Sequence, residues 1–315
     1  MNKSLTNITT KLVASSTRVI FSLTGLSLLS LFIIFINLYC LIITYQSRKL
    51  HKPSNVAICS LILAHLIQGV IVIPLYTLKR SNFEIPFLTC DMFRFFYMLT
   101  NYAACLSLMI VTIDRFLHLQ NPFKYRVYIT VKRICIFLVI MWIYTIALCL
   151  IPFVNQVNRS DCSYIPSKLW TAFMLICNTS VPLLFTIILY LMIFKKARAV
   201  EKKKRLIQNL RFVYLNKSNI VFLIVFCYVI CWGPSCIYYL LESLCHESCF
   251  RRNYHETTSE KVVTLVMKIM TFMDGFIAPF IYCIGNRTFK KASKLSRNRM
   301  KVAFSNILDR SSIVA

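Results

Sequence analysis

The stretch 131–154, VKRICIFLVIMWIYTIALCLIPFV, decides the fold. After Lys132 and Arg133 it carries no charge to its end, and about 20 such residues are what a helix needs to cross a bilayer. Six more apolar stretches are long enough to do the same, near 19–45, 54–78, 87–118, 168–195, 218–243 and 260–284. The whole chain of 315 residues agrees, with 57% hydrophobic and 15% charged residues and a mean hydropathy of +0.64. A soluble domain carries roughly 25% charged residues, and a disordered chain needs low hydrophobicity, so both classes are excluded. Several stretches carry polar residues, so the helices pack as one bundle. Each satisfies its own backbone groups, as hydrocarbon demands. The expected fold is an all-α membrane protein, a seven-transmembrane-helix bundle over 19–285, with no internal repeat.

The 37 Lys and Arg against 11 Asp and Glu give a formal charge of +26. In a soluble chain that points to nucleic acid; beside apolar spans it has another use, and no nucleic-acid partner is expected. With the N-terminus outside, the cytoplasmic segments near 46–53, 115–133, 195–217 and 287–310 hold 3, 5, 9 and 8 of these cations. The acids on that side are only Asp114, just before the second of these segments, with Glu201 and Asp309. The positive-inside rule therefore places residues 1–18 outside the cell and 286–315 in the cytoplasm, in a multi-pass plasma-membrane protein. The first 18 residues lack an apolar signal core, so the first helix is expected to direct insertion itself. Glycosylation sequons at Asn2, Asn7 and Asn158 fall on the outer side.

Ten of the 14 cysteines sit inside apolar spans, where Cys acts as a small hydrophobe. The other four, Cys90, Cys162, Cys245 and Cys249, face the oxidising side, where an even number reads as bridges. The pairs expected are Cys90 with Cys162, holding the outer loop over the third helix, and Cys245 with Cys249. No cysteine follows Cys283, so a palmitoylated tail is not expected.

Seven spans, an outer N-terminus and a Cys heading the third helix resemble a rhodopsin-like (class A) G-protein-coupled receptor. Ordered motifs carry that resemblance over nearly the whole chain. They are Asn37 in the first helix, Asp114-Arg115-Phe116 closing the third where the family has Asp-Arg-Tyr, and Trp142 in the fourth. Pro182 with Tyr190 follows in the fifth, Cys231-Trp232-Gly233-Pro234 in the sixth, and Ala278-Pro279-Phe280-Ile281-Tyr282 resembles N-P-x-x-Y in the seventh. A basic stretch from Asn286 looks like the family's short amphipathic eighth helix. The resemblance implies an extracellular ligand, a heterotrimeric G protein and membrane lipids as partners, no cofactor, no metal and no enzymatic activity. It makes Arg115 the latch toward the G protein, Trp232 the floor of the ligand cavity, Pro234 and Pro279 hinges, and Tyr190 and Tyr282 the pair that closes over Arg115. Each residue also has a plainer use: Arg115 snorkelling, the tyrosines as interface aromatics, Trp232 as bulk.

Departures from the pattern matter as much. Ile36 replaces the usual Gly before Asn37. His65 stands where the family has its sodium-binding Asp, Ala104 replaces a usual Ser, and Ala278 replaces Asn. A hard cation needs oxygen ligands, so no such sodium site is expected. Asp274, one helical turn before Ala278, supplies a carboxylate nearby; the expectation is a core pair of His65 and Asp274, against a neutral His bonded to backbone or water. The sixth helix has Tyr214 where an acid is expected, which points to elevated basal activity, whereas Ala278 points to weakened activation.

For the ligand, Tyr97 occupies the position where amine-binding members carry Asp, which argues against a monoamine. Phe272 occupies the retinal-binding position of opsins, with Lys268 one turn higher. Arg94, Tyr97 and Asn101 form a polar stripe on the third helix. With Lys268 opposite, and Trp232, Tyr238 and Tyr239 as wall, they suit a carboxylate, phosphate or peptide C-terminus. Snorkelling of both cations, or neutralisation by Asp91 and Glu242, is the plainer alternative. The basic run Lys195, Lys196, Arg198 and Lys202–Arg205 serves anionic lipid, G-protein contact, or both. The competing readings are a transporter or channel, which calls for paired repeats around a midplane site, and an opsin-like or non-coupling member of the same family.

Overall fold

The computed structural model describes residues 2–81, 86–154, 168–207, 214–244 and 258–314, and their regular structure is helical. α1 (Asn2–Gln46) forms the first span. α2 (Pro53–Ile67) and α3 (Ile73–Arg80), joined by a π turn at Gln68–Val72, form the second, and α4 (Phe87–Gln120) the third. A short α5 (Pro122–Tyr128) leads to α6 (Val131–Val154), the fourth. α7 (Lys168–Leu175) and α8 (Val181–Ile207), joined by a π turn at Ile176–Ser180, form the fifth; α9 (Tyr214–Leu244) and α10 (Thr258–Gly285) are the sixth and seventh. α11 (Arg287–Val314) lies outside the spans. Seven helices are long and apolar enough to cross a membrane, from Ser22–Gln46 to Val262–Gly285. α1 extends well before residue 19, because once a helix is nucleated each further residue adds a bond at little cost.

Prolines and polar caps set the breaks. Pro53 and Pro122 open α2 and α5, where their missing N–H costs nothing. Asn286 separates α10 from α11: its Oδ1 accepts the N–H groups of Thr288 (3.0 Å) and Phe289 (3.2 Å). Each π turn ends two residues before a proline, Pro74 or Pro182. A proline ring clashes with the carbonyl four residues back, and widening the preceding turn relieves the clash. Ser30 of α1 donates to the Gly69 carbonyl of the first widened turn at 2.7 Å.

The third span is the axis of the bundle: 67% of its most apolar window is buried, against 28% in the fourth. α6 turns Ile136, Phe137, Val139, Ile140 and Ile143 outward, the apolar face that lipid covers. Between helices the ties are polar. Trp142 Nε1 donates to Ser60 Oγ at 3.0 Å, and Ser60 meets Ser107 at 2.9 Å, joining α6, α2 and α4. Asn37 Nδ2 donates to the carbonyls of Ile33 (2.8 Å) and Gly275 (2.9 Å), joining α1 to α10. The thiols of Cys40 and Cys283 meet at 2.9 Å below that tie. At the opposite end of the bundle Cys90, buried at the head of α4, is disulfide-bonded. Cys162, Cys245, Cys249 and the sequon residue Asn158 lie outside the described residues.

Replacing Asn37 by Leu removes both bonds to the carbonyls. At about 0.6–1.7 kcal/mol for an interhelical bond in a membrane protein, the unfolding midpoint of purified protein in detergent should fall measurably; an unchanged midpoint removes Asn37 as the tie between α1 and α10.

Candidate functional site

Three polar features lie along the bundle axis. At the end that carries Cys90 a cavity of about 190 Å³ opens between α4, α7, α9 and α10. Arg94, Tyr97, Asn101 and Lys268 line it, with Trp232 and Tyr239. Lys268 is only 8% exposed. Its Nζ stands 3.4 Å above the centre of the Tyr97 ring, 5.0 Å from Tyr239 and 5.9 Å from Phe93. Such ring faces hold a desolvated ammonium by about 0.5–2 kcal/mol each. Asp91 takes Arg94 in an ion pair one turn apart, Nη1 to Oδ1 3.2 Å. Asn101 turns its amide back onto the Tyr97 carbonyl at 2.6 Å. Tyr238 packs edge-on against Tyr239 and is not among the lining residues. Phe272, fully buried, packs with Tyr76, Phe93 and Tyr97 in the aromatic wall behind the cavity.

Trp232 leads to the middle of the bundle. One residue beyond Pro234, Ser235 donates to the Met267 carbonyl (3.1 Å) and meets Thr271 Oγ1 (3.0 Å), tying the α9 kink to α10. Nearer the centre, His65 Nε2 stands 3.1 Å from Asp274 Oδ2, both residues buried. A Cβ at Gly275 would stand 2.5 Å from Gln68 Oε1, so this glycine makes room for the Gln68 amide beside the pair. Asn37 Oδ1, His65 Nδ1, Gln68 Oε1 and Asp274 Oδ1 have no protein partner among the described residues. Ala104 and Ala278 are buried close by with no polar side-chain atom to add.

At the other, basic end Asp114 is 2% exposed and both its oxygens are taken. Ser54 Oγ donates to Oδ2 at 2.5 Å and Tyr125 OH to Oδ1 at 2.6 Å. Burial and that carboxylate together push the Tyr125 phenol well above its ordinary pKa. Arg115 makes no ion pair among the described residues, and its Nε is buried without a partner. It lines a second cavity, of about 50 Å³, with Lys49, Lys52, Asn55, Tyr282 and Asn286. Tyr282 packs on Phe289 of α11, while Tyr190 stacks on Phe222 of α9 at 4.8 Å. Phe116 is half-buried and lines neither cavity. Lys196 Nζ donates to Gln120 Oε1 at 2.6 Å, stitching α8 to α4. The Tyr214 and Glu242 side chains lie outside the described residues.

The structure thus brings together Arg94, Tyr97, Asn101, Trp232, Tyr239 and Lys268 at one end, and Arg115 with Tyr282 at the other. Sequence reasoning missed Met98 and Tyr102, although both continue the helical stripe of Arg94, Tyr97 and Asn101. It missed Trp170 and Met174, which the π turn of the fifth span sets against α4. It also missed Ser54 and Tyr125 as partners of Asp114, for which no local sequence signal exists.

The chain matches the sequence profile of the seven-transmembrane receptors of the rhodopsin family over residues 36–282. It is 22% identical over 326 residues to the octopamine receptor beta-2R of Chilo suppressalis, covering 87% of this chain and 78% of that receptor. Against the 5-hydroxytryptamine receptor 1B of Vulpes vulpes it is 23% identical, covering 85% and 83%. Against the histamine H2 receptor of Homo sapiens it is 22% identical, covering 78% and 70%.

A Tyr125→Phe substitution removes one of the two donors on Asp114. A bond to a charged group is worth about 1.5–3 kcal/mol, and thermal unfolding should register a loss of that order; a midpoint equal to that of the parent protein would show that Ser54 alone satisfies the carboxylate.

Proposed function

This chain belongs to the rhodopsin family of seven-transmembrane receptors, and from that premise we propose that it senses an extracellular anionic ligand and passes the signal to a heterotrimeric G protein. The observation that carries the ligand class is the buried ammonium of Lys268 in the cavity, with Arg94 of α4 lining the same space. The amine receptors it is similar to share its fold; their ligands do not fit here. A protonated amine about 4 Å from Lys268 would be repelled by about 4 kcal/mol at an effective dielectric of 20, and Tyr97 offers no carboxylate in return. A carboxylate or phosphate exchanges the ring faces around Lys268 for a charge-assisted hydrogen bond, with the guanidinium of Arg94, positioned by Asp91, as second anchor.

In this reading the cavity end is extracellular and the basic end cytoplasmic, as the distribution of Lys and Arg supports. The anion draws Lys268 and α10 toward α4 and seats the ligand on Trp232. That pull reaches α9 through the Ser235–Thr271 contact at the Pro234 kink. Opening α9 away from Arg115 and Tyr282 makes the groove that a G protein enters. The ligand stabilises the open packing only by the difference in its affinity for the two packings. His65 and Asp274, between the two ends, act as the polar core pair whose packing differs between the states. Lipid headgroups meet the exposed basic face of α11, where Lys290, Lys291 and Lys294 lie.

G-protein activation in cells, screened against carboxylates, phosphates, peptides and amines, tests this reading. Responses should be confined to anions, fall at least tenfold in Lys268→Gln, and vanish in Arg115→Ala at equal surface expression. A response to amines that Lys268→Gln leaves untouched would sink the ligand class, and undiminished coupling by Arg115→Ala would sink the receptor mechanism.

The core pair has its own test. Asp274→Asn leaves His65 without a carboxylate and should shift basal or ligand-stimulated activity several-fold. Unaltered dose–response curves at matched expression would reduce the pair to packing.

A further inference from the structure

The cavity between α4, α7, α9 and α10 is built from aromatic rings around a single excess positive charge. Tyr97 and Tyr102 come from α4, Trp170 from α7, and Trp232 and Tyr239 from α9. Its cations are Arg94 and Lys268, and Asp91 sets one carboxylate against Arg94 at 3.2 Å. Two cations against one carboxylate leave one net positive charge there among the described residues. Lys79, which also stands near Phe93, is exposed and lines no part of the cavity. The charge lies at one end: the Lys268 ammonium is 3.4 Å above the Tyr97 ring and 5.0 Å from that of Tyr239. Trp232 lies two helical turns from Tyr239 on α9, roughly 10 Å along the axis, so its indole marks the far end. Apart from the cations and the rings, the polar side chains lining the cavity are Asn101 and Thr171, and the Asn101 amide already donates to the Tyr97 carbonyl.

Charge, wall and size each narrow the ligand. One net positive charge compensates a monoanion. A phosphate ester with close to two negative charges brings a second that finds no partner, and an unpaired charge taken out of water is costly. A carboxylate also matches the fork of a guanidinium. Rings in the wall favour a ring in the ligand, because offset and edge-to-face contacts add to the area buried. A flexible chain, by contrast, loses more freedom on binding than a rigid ring does. An engineered apolar cavity of about 150 Å³ takes one benzene, so about 190 Å³ takes one aromatic ring with a short acid arm and excludes a peptide. We infer that the ligand of this cavity is an aryl monocarboxylate, its carboxylate on Lys268 and Arg94 and its ring among Tyr102, Trp170 and Trp232. The inference rests on the anionic reading above and narrows it from carboxylates, phosphates and peptides to one class.

Calorimetry on purified full-length protein in nanodiscs, with empty nanodiscs as blank, compares four probes. Hydrocinnamate carries a ring and a carboxylate. Octanoate keeps the carboxylate on an aliphatic chain, phenyl phosphate keeps the ring on a group with close to two charges, and phenylpropylamine keeps the ring on a cation. The expected result is saturable binding of hydrocinnamate, about tenfold tighter than octanoate or phenyl phosphate, and no binding of the amine. Trp170→Leu keeps the wall apolar without its ring and should cut the preference over octanoate to less than about threefold. Lys268→Gln should weaken both carboxylates at least about tenfold. The Trp170→Leu readout is a ratio within one protein, so a folding loss common to both acids does not produce it. Octanoate or phenyl phosphate binding as tightly as hydrocinnamate, or a preference that Trp170→Leu leaves intact, overturns this inference and leaves the anionic reading standing. Binding of the amine in place of both acids overturns that reading as well. No saturable binding of any probe overturns the aryl class alone, since the cell screen still decides among other anions.

Discussion

Hydrocarbon offers no hydrogen bonds, and the arrangement of this molecule follows from that one deficit. Helices satisfy their own backbone polar groups except those freed at internal prolines such as Pro152, Pro234 and Pro279. Polar side chains in the spans gain most from a partner inside the bundle or from reaching an end. The apolar faces then need no specificity at all, as the outward residues of α6 illustrate. What fixes one helix against the next is a small set of polar ties: Trp142 to Ser60 and Ser107, Asn37 to the Gly275 carbonyl, Ser30 to the Gly69 carbonyl. Lipid supplies no hydrophobic force between helices, so packing and such bonds decide the register.

The same deficit sorts the charges. Among the described residues the buried His, Asp and Lys side chains form three groups, and each is handled differently. Lys268 lies over aromatic faces, His65 and Asp274 lie against one another, and Asp114 is held by two hydroxyls. The third solution leaves Arg115 without its neighbour's carboxylate among the described residues. The two ends differ accordingly: one is lined by a cation caged in aromatic faces, the other by Lys49, Lys52 and Arg115, which make no ion pair among the described residues.

Most of the fold was legible in the sequence because crossing a bilayer imposes a length and a composition that no soluble helix shares. The expected spans differ from those observed by only a few residues, since the ends are set by charges and prolines visible in the chain. The cavity was partly legible. Arg94, Tyr97 and Asn101 follow from helical spacing alone, and the approach of Asp274 to His65 follows from motif register. Trp170 and Met174 were not legible, because whether they face α4 or lipid depends on a widened turn, and Pro182 alone marks a distortion without fixing how far it turns the helix. Ser54 and Tyr125 reach Asp114 from other elements, so their role emerges only from tertiary packing. Lys49 and Lys52 read as membrane-surface charge, and only the convergence with Arg115 distinguishes them from their many basic neighbours.

The two π turns carry a further consequence. Each accommodates one more residue than a regular helix of the same rise, so the segment beyond it is turned by about 100° relative to an unbroken α-helix. The second and fifth spans are therefore each two half-helices in different angular phase, and in the fifth the half before the turn carries the residues that line the larger cavity. A lineage that gained or lost a single residue there would rotate Trp170 and Met174 out of the cavity wall while leaving Tyr190 in place. The wall of the larger cavity and the opposite end of the fifth span can thereby change independently through one inserted or deleted residue.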